Sequence, residues 1–284
     1  MSTAVTTTAA TTSLDLKADL SIASRHRLAV DDLRRGLDLW RLAWALGWLD
    51  IRLRYRGSML GPFWLTISTG VMVGALGVLY STLFKMDLAS YLPFLALSQV
   101  LWGFLASLVA EACTCFTDAE GVIRSVRMPF FVFSVRTLIR NIIVLAHNIL
   151  VIVVVFAIFA IWPRWNMLLA IPGLLIWIAD ALALTLLLGA FCARFRDILP
   201  IVNSIMQIMF FMTPVIWKPE QLGEGVAKLW LNPFFDLLEI VRGPLLETSV
   251  SGMIWFGALA YSAVLCSVSW AFFVRMRGRV TFWI

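Results

Sequence analysis

Long apolar stretches recur along this chain near residues 62–84, 91–112, 139–162, 167–191, 198–217 and 252–274, separated by short polar segments. Each approaches the roughly 20 residues that carry an α-helix across a hydrocarbon core of about 30 Å. Barrel strands would instead alternate apolar and polar positions. The pattern predicts an all-α polytopic membrane protein with six transmembrane helices. Composition agrees: of 284 residues, 61% are hydrophobic and only 14% charged, well below the roughly 25% charged residues of soluble proteins.

Charge sets the expected orientation. Of the 23 Lys and Arg residues, eighteen fall on the predicted side that holds both termini, and five (Lys85, Arg164, Lys218, Lys228, Arg242) on the other. The positive-inside bias therefore predicts that both ends are cytoplasmic. Trp40, Trp44, Trp48, Trp64 and Trp283 fall near the inner boundary, and Trp162, Trp165, Trp217, Trp230 and Trp255 near the outer one. Such placement suits interfacial anchors.

Three regions follow from the pattern: a Thr/Ala/Ser-rich tail over 1–27, expected to be disordered; an amphipathic helix with a basic segment over 28–56; and the six-span domain over 57–284. In the second region Leu33, Leu37, Trp40, Trp44 and Trp48 recur at helical spacing while Asp31, Arg34, Arg35, Asp38 and Arg41 face elsewhere. Such a helix lies along a membrane surface or docks a partner. Arg52, Arg54 and Arg56 then stand at the mouth of span 1 among lipid phosphates, and Pro62 is expected to start its helix, where the missing N–H costs nothing.

Two connections look structured. The stretch EACTCFTDAEGVIRSVRMPFFVFSVRTLIR between spans 2 and 3 reads as a short surface helix that offers Asp118, Glu120, Arg124 and Arg127 to another subunit. The stretch KPEQLGEGVAKLWLNPFFDLLEIVRGPLLETSV after span 5 reads as two short helices meeting at Asn232-Pro233. Asp236 and Glu239 would share a polar face there, opposite Phe235, Leu238 and Val241; the pair either re-enters the outer leaflet or rests on it as a lid.

Asp180 is the one carboxylate deep within a predicted span, and it reads as a polar lock with His147 or Asn148, or else as a proton-coupling group. Cys113, Cys115, Cys192 and Cys266 form no disulfide framework, and two histidines make no zinc site. G-x-x-x-x-G-K-[ST], G-x-S-x-G, H-E-x-x-H and G-x-G-x-x-G are all missing from the sequence, so it holds no P-loop with which to hydrolyse ATP. Transport is favoured over catalysis.

In order along the chain, RYRGSMLGPFW, GALGVLYSTLF, LWGFLASLVAEACTCF, GVIRSVRMP, ARFRDILPIV, FFMTPVIW and NPFFDLLEIVRGPLL resemble the membrane subunits of polysaccharide-exporting ABC transporters. These are the type-2 permeases that serve O-antigen, capsule and teichoic acid. The resemblance runs from about Trp40 to the C-terminus. It implies a homodimer paired with two nucleotide-binding subunits that carry ATP and Mg, with no cofactor in this chain. It further implies a lipid-linked polysaccharide as cargo, membrane lipids and no nucleic acid as partners, and the bacterial inner membrane as location. The segment from Cys113 to Met128 resembles the family's coupling helix, and the hairpin around Asn232–Leu246 its external gate, with Asn232, Pro233, Asp236, Glu239 and Arg242 as candidate gate residues.

Spans 1 and 5 would line the channel, where Trp64, Tyr80, Phe84, Phe210, Phe211 and Trp217 offer sliding contacts to sugar. Arg52, Arg54 and Arg56 would meet the anionic head of the carrier lipid. Export of a smaller lipid or drug, proton-coupled transport through Asp180, and an enzyme of the same pathway are the competing expectations.

Overall fold

The computed structural model describes residues 21–61, 63–162 and 164–284, and every regular element among them is helical. Residues 1–20 of the tail expected over 1–27, and the expected helix start at Pro62, lie outside the described residues; residues 22–27 of that tail are not disordered but form the first turns of a helix that begins at Ile22, capped by Ser21, whose side chain accepts from the Ser24 N–H. Ten α-helices follow one another: α1 (Ile22–Asp38), α2 (Trp40–Arg54), α3 (Phe63–Leu83), α4 (Leu88–Thr114), α5 (Glu120–Ser125), α6 (Phe130–Ile158), α7 (Ala170–Arg194), α8 (Ile198–Met212), α9 (Pro233–Leu245) and α10 (Gly252–Trp283). Short 3-10 segments precede α5, α7 and α9.

Among the described residues, five helices are long and apolar enough to cross a membrane: α3, α4, α6, α7 with the 3-10 turn before it, and α10. The predicted fifth span is shorter than its apolar run. α8 stops at Met212, because Thr213 takes an extended backbone (φ −94°, ψ 139°), as the residue before a proline tends to. At about 1.5 Å per residue α8 is roughly 22 Å long.

Other boundaries moved for physical reasons too. α6 begins at Phe130, ahead of the predicted 139, because Asp32 accepts the backbone N–H groups of Phe130 (3.2 Å) and Phe131 (3.1 Å). Those donors have no partner within their own helix, and a carboxylate from α1 supplies it. α10 runs on through the basic tail to Trp283, held there by Arg277, which donates to the same Asp32 at 2.8 Å. The amphipathic region begins at Ile22 and divides at Leu39 into α1 and α2.

α4 is the central helix, buried along most of its length, with α3, α6, α7, α8 and α9 around it. α7 packs along α10, and α2 along α6. The face that α1 and α2 bury is built from small residues, Ala29, Gly36, Ala43 and Gly47, ending in Ile51. A Cβ on Gly36 would meet the Phe131 side chain at 2.7 Å, and one on Gly47 the Arg136 carbonyl at 3.1 Å. Glycine here permits a close approach of backbones. The predicted apolar stripe lies on the other side: Leu37, Trp40, Trp44 and Trp48 are exposed, while Leu33 packs into the core with Phe130 and Phe131.

Candidate functional site

The end of the bundle that carries α1, α2 and α5 is tied by a network of charges. Asp50 on α2 receives a bidentate fork from Arg136 on α6 (2.7 and 2.6 Å) and a further hydrogen bond from Arg140 (3.3 Å). Arg140 also donates to Glu111 on α4 at 2.8 Å, and that carboxylate accepts from Asn141 at 2.7 Å and from Arg54 at 2.9 Å. Ser107 completes the set by donating to Asn141 Oδ1 at 2.6 Å. Arg140 is only 8% exposed and Arg54 45%. Charge-assisted forks of this kind are strong and geometrically specific, and here they join three helices through Asp50, Glu111 and Arg140, each of which holds more than one partner.

The opposite end is organised around one side chain. Arg242 on α9 is 1% exposed; it pairs with Glu239 one turn earlier, donates to Ser98 Oγ on α4 at 2.8 Å and to the Pro214 carbonyl, and lies 4.5 Å from the centre of the Phe94 ring. The Tyr91 hydroxyl donates to the Ile216 carbonyl. Arg242 and Tyr91 thus satisfy carbonyls that the chain leaves open after α8 ends, which lets non-helical backbone sit inside the protein. Asn232 joins the same region: its Oδ1 accepts from the Phe234 N–H and its Nδ2 donates to Thr213, each at 3.0 Å. Pro233 follows as the first residue of α9, a position that needs no N–H.

α9 is itself buried among three helices. Gly173 of α7 lies against the Ile240 backbone, where a Cβ would come within 2.9 Å of its carbonyl. Trp177 donates to the Leu237 carbonyl at 2.9 Å. Asp236 is fully buried against Gly257 of α10, whose added Cβ would stand 2.2 Å from Oδ2, and neither carboxyl oxygen has a hydrogen-bond partner among the described residues. The shared polar face expected of Asp236 and Glu239 is therefore turned inward, one residue toward α10 and the other toward Arg242.

An ABC-2 type transporter family model matches residues 41–246, which takes in both of these constellations. The chain belongs to the ABC-2 type transporter family. It is similar to an O-antigen export system permease protein RfbA of Myxococcus xanthus, 24% identical over 192 residues, or 66% of this chain and 74% of that one. A Klebsiella pneumoniae protein of the same name is 20% identical over 193 residues, 68% of this chain and 74% of its own length. This ABC-2 chain is a multi-pass membrane permease subunit.

The remaining expected site residues fall in separate places. Arg52, Arg54 and Arg56 are all exposed at the end of α2 and just past it, with Arg54 held by Glu111. Arg124 pairs with Glu120 (2.9 Å) and donates to the Ile284 carbonyl, while Asp118 and Arg127 are exposed and Asp118 accepts from Thr114 at 2.8 Å. The aromatic candidates form no single row. Trp64 is exposed at the start of α3, and Tyr80 and Phe84 stack at its far end (5.4 Å), roughly 24 Å away at about 1.5 Å per residue. Phe210 packs on Trp102 (5.8 Å) and Phe211 (5.2 Å), Phe211 is exposed, and Trp217 donates to the Phe211 carbonyl.

Asp180 is indeed locked to a neighbouring helix, but through Ser262 of α10 (2.8 Å). His147 instead contacts the Ile143 carbonyl of its own helix, and Asn148 Oδ1 has no partner among the described residues. Cys113, Cys115 and Cys192 are buried. Burial pushes the Cys115 thiol up to about 11, which keeps it protonated and unreactive.

Sequence reasoning passed over Asp32, Asp50, Ser98, Glu111 and Asn141. One signal was readable: Arg136 and Arg140, four residues apart at the base of an apolar run, put two cations on one helical face that demands carboxylates.

Proposed function

We propose that this chain is the membrane subunit of an exporter for a lipid-linked, O-antigen-like surface polysaccharide, working as a homodimer with two separate ATPase subunits in the bacterial inner membrane. The observation that carries the reading is the similarity, over about two thirds of the chain, to permeases named for O-antigen export. In this reading α8 and the non-helical stretch after it make the sixth crossing, both termini are cytoplasmic, and α1 with α2 lies along the inner surface. The stretch from Asp118 to Arg127 seats the ATPase. Arg52 and Arg56, exposed beside the membrane boundary, meet the anionic head of the carrier lipid.

α9 serves as the external gate, hinged at Asn232-Pro233. Its burial among three helices, locked by Arg242 at one end and by Trp177 on the Leu237 carbonyl nearer the other, supports this role, since only a few hydrogen bonds need be exchanged to free it. The exposed aromatics offer weak, interchangeable contacts over which a sugar polymer slides.

The test is to delete the gene, run the surface glycolipid on a gel and assay the inner membrane for lipid-linked polymer. Lost surface glycan with polymer accumulating inside supports the reading. A normal surface glycan points to a smaller lipid or drug as cargo, and loss without accumulation points to synthesis.

A further inference from the structure

Beneath α9 lies a cavity of about 390 Å³ between α4, α7 and α10, within the usual size range of small-molecule sites, about 300–1,000 Å³. Leu105 and Leu108 of α4, Trp177 and Leu184 of α7, Phe234 of α9 and Leu265 of α10 give it an apolar wall. Its rim includes Val264 and Val268, which are exposed on α10. Asp180 breaks this surface. It is 8% exposed; Ser262 donates to its Oδ2, and its Oδ1 has no partner among the described residues. A carboxylate so placed is costly unless something pairs with it.

We propose that the cavity binds a lipophilic amine, its hydrocarbon body among the leucines and its ammonium on Asp180 Oδ1. Charge complementarity selects the amine: Asp180 is the one charged residue among the described residues that line the cavity, and the other polar side chains there, Ser262 and Tyr261, already donate to Asp180 and to the Leu231 carbonyl. The rim residues of α10 admit a molecule that arrives through the hydrocarbon phase. The roof is the start of α9, clasped by the bonds from Trp177 to the Leu237 carbonyl and from Tyr261 to the Leu231 carbonyl (3.0 Å). An occupant therefore bears directly on the helix that Arg242 locks at its other end.

The experiment uses the full chain in lipid nanodiscs, labelled with a diazirine-bearing decylamine and, in parallel, with the matched diazirine-bearing decanol, and maps the labelled peptides by mass spectrometry. The amine is expected to label α7 and α10 around the cavity. Asp180→Asn should lower that labelling about tenfold or more, the loss expected when a charge-assisted hydrogen bond is removed, while labelling by the alcohol stays low and unchanged. Leu265→Trp, which fills the cavity without altering its charge, should abolish amine labelling, and it decides the matter should the Asp180 variant fail to fold. Equal labelling by the two probes, labelling that persists in Leu265→Trp, or no labelling of these peptides in the unaltered protein would each overturn the proposal. The last result would mean that a second copy of the chain or water already fills the space.

Discussion

Both ends of the bundle join helices with buried arginines, yet they are wired differently. At the basic end, Asp50 and Glu111 each hold two arginines, and Arg140 holds both carboxylates. At the far end, Glu239 and the Pro214 carbonyl both depend on Arg242, which Ser98 ties to α4, and Asp236 nearby has no partner among the described residues. Redundant pairing survives the loss of a member, whereas a hub fails at once. The first arrangement suits a fixed frame that joins α2, α4 and α6; the second suits an element that is held and released.

The largest effect should come from Arg242→Met. It strands the mostly buried Glu239 carboxylate and leaves the Pro214 carbonyl unpaired, so the loss should be about 3 kcal/mol or more, read from thermal unfolding of the purified protein. A loss below about 1 kcal/mol would break the contrast. Arg140→Met comes next. Asp50 keeps Arg136, and Glu111 keeps Arg54 and Asn141, so the cost should stay near 2 kcal/mol, and a larger one would show that the basic end is no more redundant than the far end.

Gly257→Ala sharpens the far-end side of the comparison. Its Cβ displaces Asp236 and with it α9, at a cost of about 1 kcal/mol; protease sensitivity should rise in residues 219–245 and nowhere else. The smallest effect belongs to Arg52→Gln, at an exposed residue with no side-chain partner among the described residues, where stability should stay within about 0.5 kcal/mol while export falls. Unchanged export would return this arginine to a purely topological role.

The helical class, most of the spans and the break at Asn232-Pro233 were legible, because apolar runs, Trp positions and Asn-Pro carry their meaning locally. The start of α6 was not, since its arginines lower the local hydropathy and their partners, Asp50 and Glu111, lie far away in sequence. The end of α8 was hidden for the opposite reason: Val215 and Ile216 keep the run apolar after Thr213-Pro214 has ended the helix. Asp236 resembled a surface residue on α9 because its burial depends on Gly257, a residue whose role is to be small. Arg242 stood among the expected gate residues, but its reach to Ser98 and Pro214 needed the fold.

The contrast between a fixed frame and a releasable helix is tested most directly by hydrogen exchange on the assembled transporter in nanodiscs, with and without ATP turnover. Amides of α9, over Pro233–Leu245, should exchange faster during turnover while those of α2 and of α6 around Arg136 and Arg140 stay protected. Protection of α9 throughout, with faster exchange in α2 and α6, would contradict it.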